Sequence, residues 1–83
     1  MKLTNAIKRL AKHGEVEQCG NQFWANIGNN VVQFMANGKI NESTNITCIK
    51  VRDNKDEDDY MTDYSAGVWC DNLTQAIRIA TAS

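Results

Sequence analysis

From Glu15 to Gly38 the chain alternates apolar and polar side chains, and glycine–asparagine runs break it three times, at Gly20-Asn21, Gly28-Asn29-Asn30 and Asn37-Gly38. Alternation with period two marks a strand that buries one face. Glycine and asparagine supply the positive φ that tight hairpin turns need. A chain punctuated in this way is directed toward short antiparallel strands joined in sequence. Glu15 to Cys19 reads as a first, weak strand. In Gln22 to Ile27, Phe23, Ala25 and Ile27 share one face and Trp24 lies on the other. Val31 to Ala36 sets Val32, Phe34 and Ala36 against Val31, Gln33 and Met35. Asn37-Gly38 is the strongest two-residue hairpin signal and predicts a type I′ turn; Lys39 to Thr44 either continues that hairpin or is loop. Asn45 to Arg52 is strand-like, with Thr47, Ile49 and Val51 facing one way and Cys48, Lys50 and Arg52 the other. Tyr64 to Cys70 returns as a strand, with Gly67 at a bulge or a point of close packing.

A helix is expected at each end of this meander. Leu3, Ala6, Ile7, Leu10 and Ala11 fall at the spacing of one apolar helix face, with Thr4 as N-cap and Gly14 as the stop. Leu73, Ala76, Ile77 and Ala80 repeat the spacing, Asn72 with Gln75 resembles a capping box, and Asp71 adds negative charge at the positive end of the helix dipole. The expectation is an α+β domain covering residues 1–83. A four- to five-stranded antiparallel meander would carry the N-terminal and C-terminal helices together on one face.

With 83 residues there is room for one core layer and little room for a deep pocket. The apolar fraction of 42% and charged fraction of 23% suit a folded chain rather than a disordered one. No apolar run approaches the roughly 20 residues that span a bilayer. The start, Met1 to Ala6, lacks the apolar stretch of a signal peptide, so the cytoplasm is the expected location and no membrane partner is expected. Cys19, Cys48 and Cys70 are an odd number without C-x-x-C spacing, and His13 is the single histidine. Buried free thiols are expected, with no zinc site, no other metal and no cofactor. The three N-x-S/T triplets, beginning at Asn41, Asn45 and Asn72, read as chance matches in an asparagine-rich chain.

The most unusual segment is acidic. Asp53, Asp56, Glu57, Asp58, Asp59 and Asp63 crowd together with Lys55 as their one basic neighbour. The bland reading is a solvated hairpin loop. A calcium site would need the D-x-[DN]-x-[DN]-G spacing and a distal glutamate, which are missing. An acidic docking surface for a basic partner is the functional reading, since clustered charge selects complementary surfaces. The first helix is the opposite pole: Lys2, Lys8, Arg9 and Lys12 precede any acid. Lys8, Arg9 and Lys12 are accordingly the candidate contacts for nucleic acid, against the plainer reading of a solvated helix face; the net charge of −1 gives no basic footprint to the domain as a whole. Tyr60, Tyr64, Trp24 and Trp69 are the aromatic candidates for a binding face. If the helices cover the Phe23 and Phe34 face, Trp24, Val31 and Met35 lie on an open sheet face suited to a partner or to a homodimer. No residue is assigned a catalytic role. His13 has no nucleophile beside it, the carboxylates lack apolar walls that would raise a pKa, and no phosphate-cradling glycine loop occurs.

The helix–strands–helix order resembles the double-stranded RNA-binding fold and the small mRNA-interferase toxins built on it. The interferase histidine after a glycine turn is replaced by Gln22-Phe23, and Asp71-Asn72-Leu73-Thr74 stands where the RNA-binding module carries a basic segment, so neither function transfers. Asp58-Asp59-Tyr60-Met61-Thr62-Asp63-Tyr64-Ser65-Ala66-Gly67, followed by Asp71-Asn72-Leu73-Thr74-Gln75-Ala76-Ile77, is similar to small proteins encoded by tailed bacteriophages and prophages. That resemblance spans roughly half the chain. It implies a viral protein of the anti-CRISPR or host-inhibitor type: a non-enzymatic inhibitor that binds a host protein or ribonucleoprotein complex in the bacterial cytoplasm. In this reading Asp53, Asp56, Glu57, Asp58, Asp59, Asp63, Tyr60 and Trp24 meet the partner.

Overall fold

The computed structural model describes residues 1–53 and 67–82. Along them run α1 (Leu3–Ala11), β1 (Val16–Cys19), β2 (Gln22–Ile27), β3 (Asn30–Ala36), β4 (Ile46–Asp53), β5 (Val68–Trp69) and α2 (Leu73–Ala82). The strands form one antiparallel sheet in the order β1-β2-β3-β4-β5, so the α+β meander with a helix at each end is present as the sequence predicts. Both helices lie on the same face. Leu3, Ala6 and Leu10 of α1 and Leu73, Ala76 and Ala80 of α2 share one core with Phe23, Ala25, Ile27, Val32, Phe34, Ala36, Ile49 and Val51. Phe23 and Phe34, opposite each other in the β2–β3 ladder, stack with ring centroids 5.7 Å apart. Each large apolar side chain so buried contributes about 1.5–3 kcal/mol of transfer free energy.

The first two turns are hairpins of two residues. Cys19 pairs with Gln22 and Ile27 with Asn30, leaving Gly20-Asn21 and Gly28-Asn29 as the loops, and Asn30 belongs to β3 rather than to the turn. Gly20 and Gly28 carry φ of +60° and +59° while the asparagines do not, which is the type II′ pattern. Asn37-Gly38 departs from expectation. Only Gly38 has positive φ, so no type I′ turn forms. The chain instead makes a longer loop, closed by Asn37 N–H donating to Asn45 O at 2.8 Å. Local side chains fix its shape: buried Thr44 accepts from the Asn41 amide at 2.8 Å and donates to Lys39 O, and Asn21 Nδ2 donates to Gly38 O at 2.9 Å. Lys39 to Thr44 is therefore loop. A turn dipeptide sets its geometry only when the flanking register agrees, and here side-chain hydrogen bonds of the loop compete with it.

The β4 alternation is also interrupted. Met35 pairs with Thr47 and Gln33 with Lys50, so Cys48 and Ile49 together oppose Phe34. Cys48 takes the extra position of this bulge at φ +53°. Beyond it the faces exchange. Ile49 and Val51 enter the core, but Ile46, and not Thr47, continues it.

The helix ends correct two further expectations. Thr4 is not the N-cap of α1. Lys2 holds that position without a side-chain cap, and Leu3 N–H donates to Thr44 O at 2.8 Å, so the loop backbone satisfies a first-turn donor directly. Gly14 lies beyond the helix end, and a Cβ there would stand 2.4 Å from Asn26 O of β2. Its smallness lets the chain pass close to β2. Gly67 is likewise a close-packing point, where a Cβ would lie 2.4 Å from Val51 O. At α2 the cap is present in modified form. Asn72 Oδ1 accepts from Gln75 N–H at 2.8 Å, while Gln75 Oε1 reaches back to Asp71 N–H at 2.9 Å, one residue earlier than a capping box requires.

Candidate functional site

The sheet face turned away from the helices carries one straight cross-strand row: Glu17, Trp24, Gln33, Lys50 and Trp69, one residue from each strand. Trp24 lies there, as its place in the β2 alternation predicts. It is 9% exposed, and its indole N–H donates to Glu17 Oε2 at 3.1 Å. Val31 is fully buried and Met35 half-buried. The open, exposed patch of Trp24 and Val31 expected from alternation is thus not open. Their cross-strand neighbours, Glu17 and Gln33 beside Trp24 and Arg52 beside Val31, are long side chains on the same face.

Two cations of this face are buried. Lys50 places Nζ 5.0 Å from the ring centroid of Trp69, and Arg52 Nε–H donates to Gln33 Oε1 at 3.0 Å. A buried ammonium gains from an aromatic face because the ring quadrupole presents negative charge to it.

Exposure concentrates at the end of the row. Val68 and Trp69 are 54% and 52% exposed. They form β5, which pairs with β4 and, among the described residues, has no strand on its other side. Cys70 N–H points inward to Ile49 O at 2.8 Å. Alternation along an antiparallel strand then turns the Trp69 N–H and C=O outward, where an edge strand leaves them for solvent or a partner.

Of the acidic candidates, Asp53 is exposed at the end of β4. Asp56, Glu57, Asp58, Asp59, Tyr60 and Asp63 lie outside the described residues, as does Tyr64. Lys8 and Lys12 are exposed on the outer side of α1 and Arg9 is half-buried.

The thiols are free but are not buried: Cys19 and Cys48 are exposed and Cys70 is half-buried. Cys19 ends β1 at a hairpin, and the bulge turns Cys48 outward. Burial, helped by the neighbouring Asp71 carboxylate, pushes the Cys70 thiol above its ordinary range and keeps it protonated at neutral pH. A shallow depression at the first turn of α2 is lined by Asp71, Asn72, Thr74, Gln75 and Arg78. Among the described residues, no cluster of three His, Cys, Asp or Glu side chains could hold a metal ion, and no helix is long and apolar enough to cross a membrane.

Trp69 was among the aromatic candidates in the sequence, but alternation did not point to Val68 or to the burial of Lys50 and Arg52. Polar residues in the outward register of a strand read as solvent-facing. Comparison of the chain with protein-family models, with curated proteins and with solved structures finds no match.

Proposed function

We propose that this chain is a non-enzymatic interaction domain whose contact with a macromolecular partner is centred on the β5 edge. The exposure of Val68 and Trp69, two large apolar side chains on a strand with outward-facing backbone groups, carries this reading. Tryptophan is enriched among the anchors of protein interfaces, and an edge strand offers hydrogen bonds beside it. The Lys50 ammonium against the ring restrains Trp69 before binding, which lowers the ordering cost of using it as an anchor.

The resemblance to small phage proteins supplies the class of partner, a host protein or ribonucleoprotein whose activity is blocked by occupation of its surface. The acidic residues Asp53, Asp56, Glu57, Asp58, Asp59 and Asp63 precede β5 in sequence, and their charge favours a partner with a basic surface.

The test is capture from host lysate followed by titration with the purified captured protein. Trp69→Ala with Val68→Ser is expected to weaken binding at least tenfold while leaving the folded state intact. Equal affinity for wild type and this variant would refute the edge as the contact. A second variant, with Asp56, Glu57, Asp58 and Asp59 changed to Asn or Gln, separates the charge contribution. Unchanged binding by that variant removes the acidic segment from the reading.

A further inference from the structure

We infer that the outer face of α1 is a docking surface for the phosphodiester backbone of a polynucleotide, independent of the β5 edge. At 3.6 residues per turn, the core residues Leu3, Ala6, Ile7 and Leu10 occupy one arc of the helix. The opposite arc is formed by Lys8, Lys12, Asn5, Arg9 and Lys2, in that angular order. Every charged residue on it is basic. Among the described residues no acid pairs with Lys8, Arg9 or Lys12.

Helix stability alone does not account for this arrangement. Lys8 and Arg9 in the last turn complement the negative end of the helix dipole. Lys2, however, sits at the N-cap, where a cation is disfavoured, and the first turn contains no acid. No acid lies three or four residues from Lys8, and Glu15, three residues after Lys12, lies beyond the helix end and makes no ion pair with it among the described residues. Lys2 is partly engaged, with Nζ donating to Ser43 O at 3.4 Å, so Lys8, Arg9 and Lys12 are the three available cations.

Their spacing suits a polyphosphate. Lys8 and Lys12 are one turn apart, about 6 Å along the axis. A polynucleotide strand carries one negative charge per nucleotide, so neighbouring cations on one helix face can each meet a phosphate of the same strand. Three lysine and arginine contacts bind without reading sequence, since phosphates position a protein and base edges specify it.

The test is fluorescence anisotropy of labelled duplex DNA and single-stranded probes titrated with the full chain between about 50 and 200 mM salt. Three phosphate contacts predict a slope of log K against log salt of about −2.7 on duplex, which is a roughly 40-fold loss of affinity over that range. Each single change, Lys8→Gln, Arg9→Gln or Lys12→Gln, should flatten the slope by about 0.9. The triple variant should lose binding, with an unchanged circular dichroism spectrum because glutamine is a good helix former. Trp69→Ala should bind the probes as wild type does, so failure here and failure at the β5 edge are distinguishable. Absence of probe binding at low salt would overturn the inference. So would equal binding by the triple variant, or binding to heparin with none to either polynucleotide. If the triple variant does not fold, the single variants decide: three unchanged slopes overturn it.

Discussion

Gly14→Ala tests the packing between the α1–β1 connection and β2. Gly14 does not adopt positive φ, so alanine is compatible with its backbone conformation. Judged on conformation alone, the substitution should stabilise the fold by about 0.4–1 kcal/mol, because it reduces the freedom of the unfolded chain. The packing predicts the opposite sign. The new Cβ would stand 2.4 Å from Asn26 O, where ordinary contact begins near 3.4 Å, so about 1 Å must be recovered. Neither side yields easily. The oxygen belongs to the backbone of β2, held between β1 and β3, and Gly14 N–H is bonded to Leu10 O at 3.3 Å. Overpacking of this kind costs about 1–3 kcal/mol. Set against the entropic gain, a net loss of up to about 2.6 kcal/mol follows, with a midpoint of about 1.3 kcal/mol. For a domain of this size, 1 kcal/mol lowers the melting temperature by about 4–8 °C. Urea and thermal unfolding followed by far-ultraviolet circular dichroism measure both quantities. A variant as stable as wild type, or more stable, would refute the claim that Gly14 is required for its lack of a side chain.

Cys48→Gly removes the non-glycine residue from the bulge position. It should recover about 1–2 kcal/mol of left-handed strain, less about 0.5–1 kcal/mol for the greater freedom of glycine, giving a small net stabilisation in urea unfolding. Asn72→Ala deletes the oxygen that accepts from Gln75 N–H and should cost about 1 kcal/mol by the same measurement. In the folded protein at pH 8, an alkylating reagent should label Cys19 and Cys48 before Cys70, whose thiol is half-buried and held protonated; labelling sites identified by mass spectrometry give the order. Because the Cys70 pKa is raised on folding, its contribution to stability is fully present below the ordinary thiol value of 9.0 and is lost as pH rises through the higher folded value, so Cys70→Ser should reduce the alkaline loss of stability.

The fold was legible because local signals agreed with one another. Strand alternation, two glycine-led hairpins and two apolar helix faces all pointed to one layer of sheet under one layer of helix. Departures occurred where a tertiary contact replaced a local rule. Thr4 gave way to Lys2 as N-cap because Thr44 O already accepts from the first helical amide. Asn37-Gly38 failed to close a hairpin because Thr44, Asn41 and Asn21 supply hydrogen bonds to a longer loop. Thr47 changed faces because an extra residue at Cys48 shifts the period, and no residue type marks a bulge that lacks glycine. The candidate surfaces were legible in charge and obscure in exposure. The basic arc of α1 follows from composition and helical spacing. Whether a tryptophan on a strand is covered does not: Trp24 and Trp69 share one cross-strand row, and one is buried while the other is half exposed.

Trp69 and the basic arc of α1 lie on opposite sides of the sheet, which constrains how the two surfaces work together. Trp69 shares the row of Lys50, on the face without helices. The basic arc is on the outer side of α1, which packs on the other face. A helix about 10–12 Å in diameter therefore stands between the arc and the sheet, with the thickness of the sheet beyond it. Sites separated by more than about 7–10 Å without shared partners contribute additively, usually within about 0.5 kcal/mol. Changing Trp69 and the α1 cations together should consequently cost, for a protein partner alone, what Trp69 costs by itself, and for a polynucleotide alone, what the cations cost by themselves. A ribonucleoprotein that engages both surfaces should respond differently. The second contact would then be intramolecular, and each set of substitutions would lower affinity by the effective concentration it forfeits, so that the double variant falls well below either single one. Salt separates the contributions further, since the α1 contact weakens steeply with ionic strength and apolar burial at Trp69 does not. A partner whose affinity for the double variant matches that for Trp69→Ala, at low and high salt alike, uses the β5 edge and makes no contact with α1.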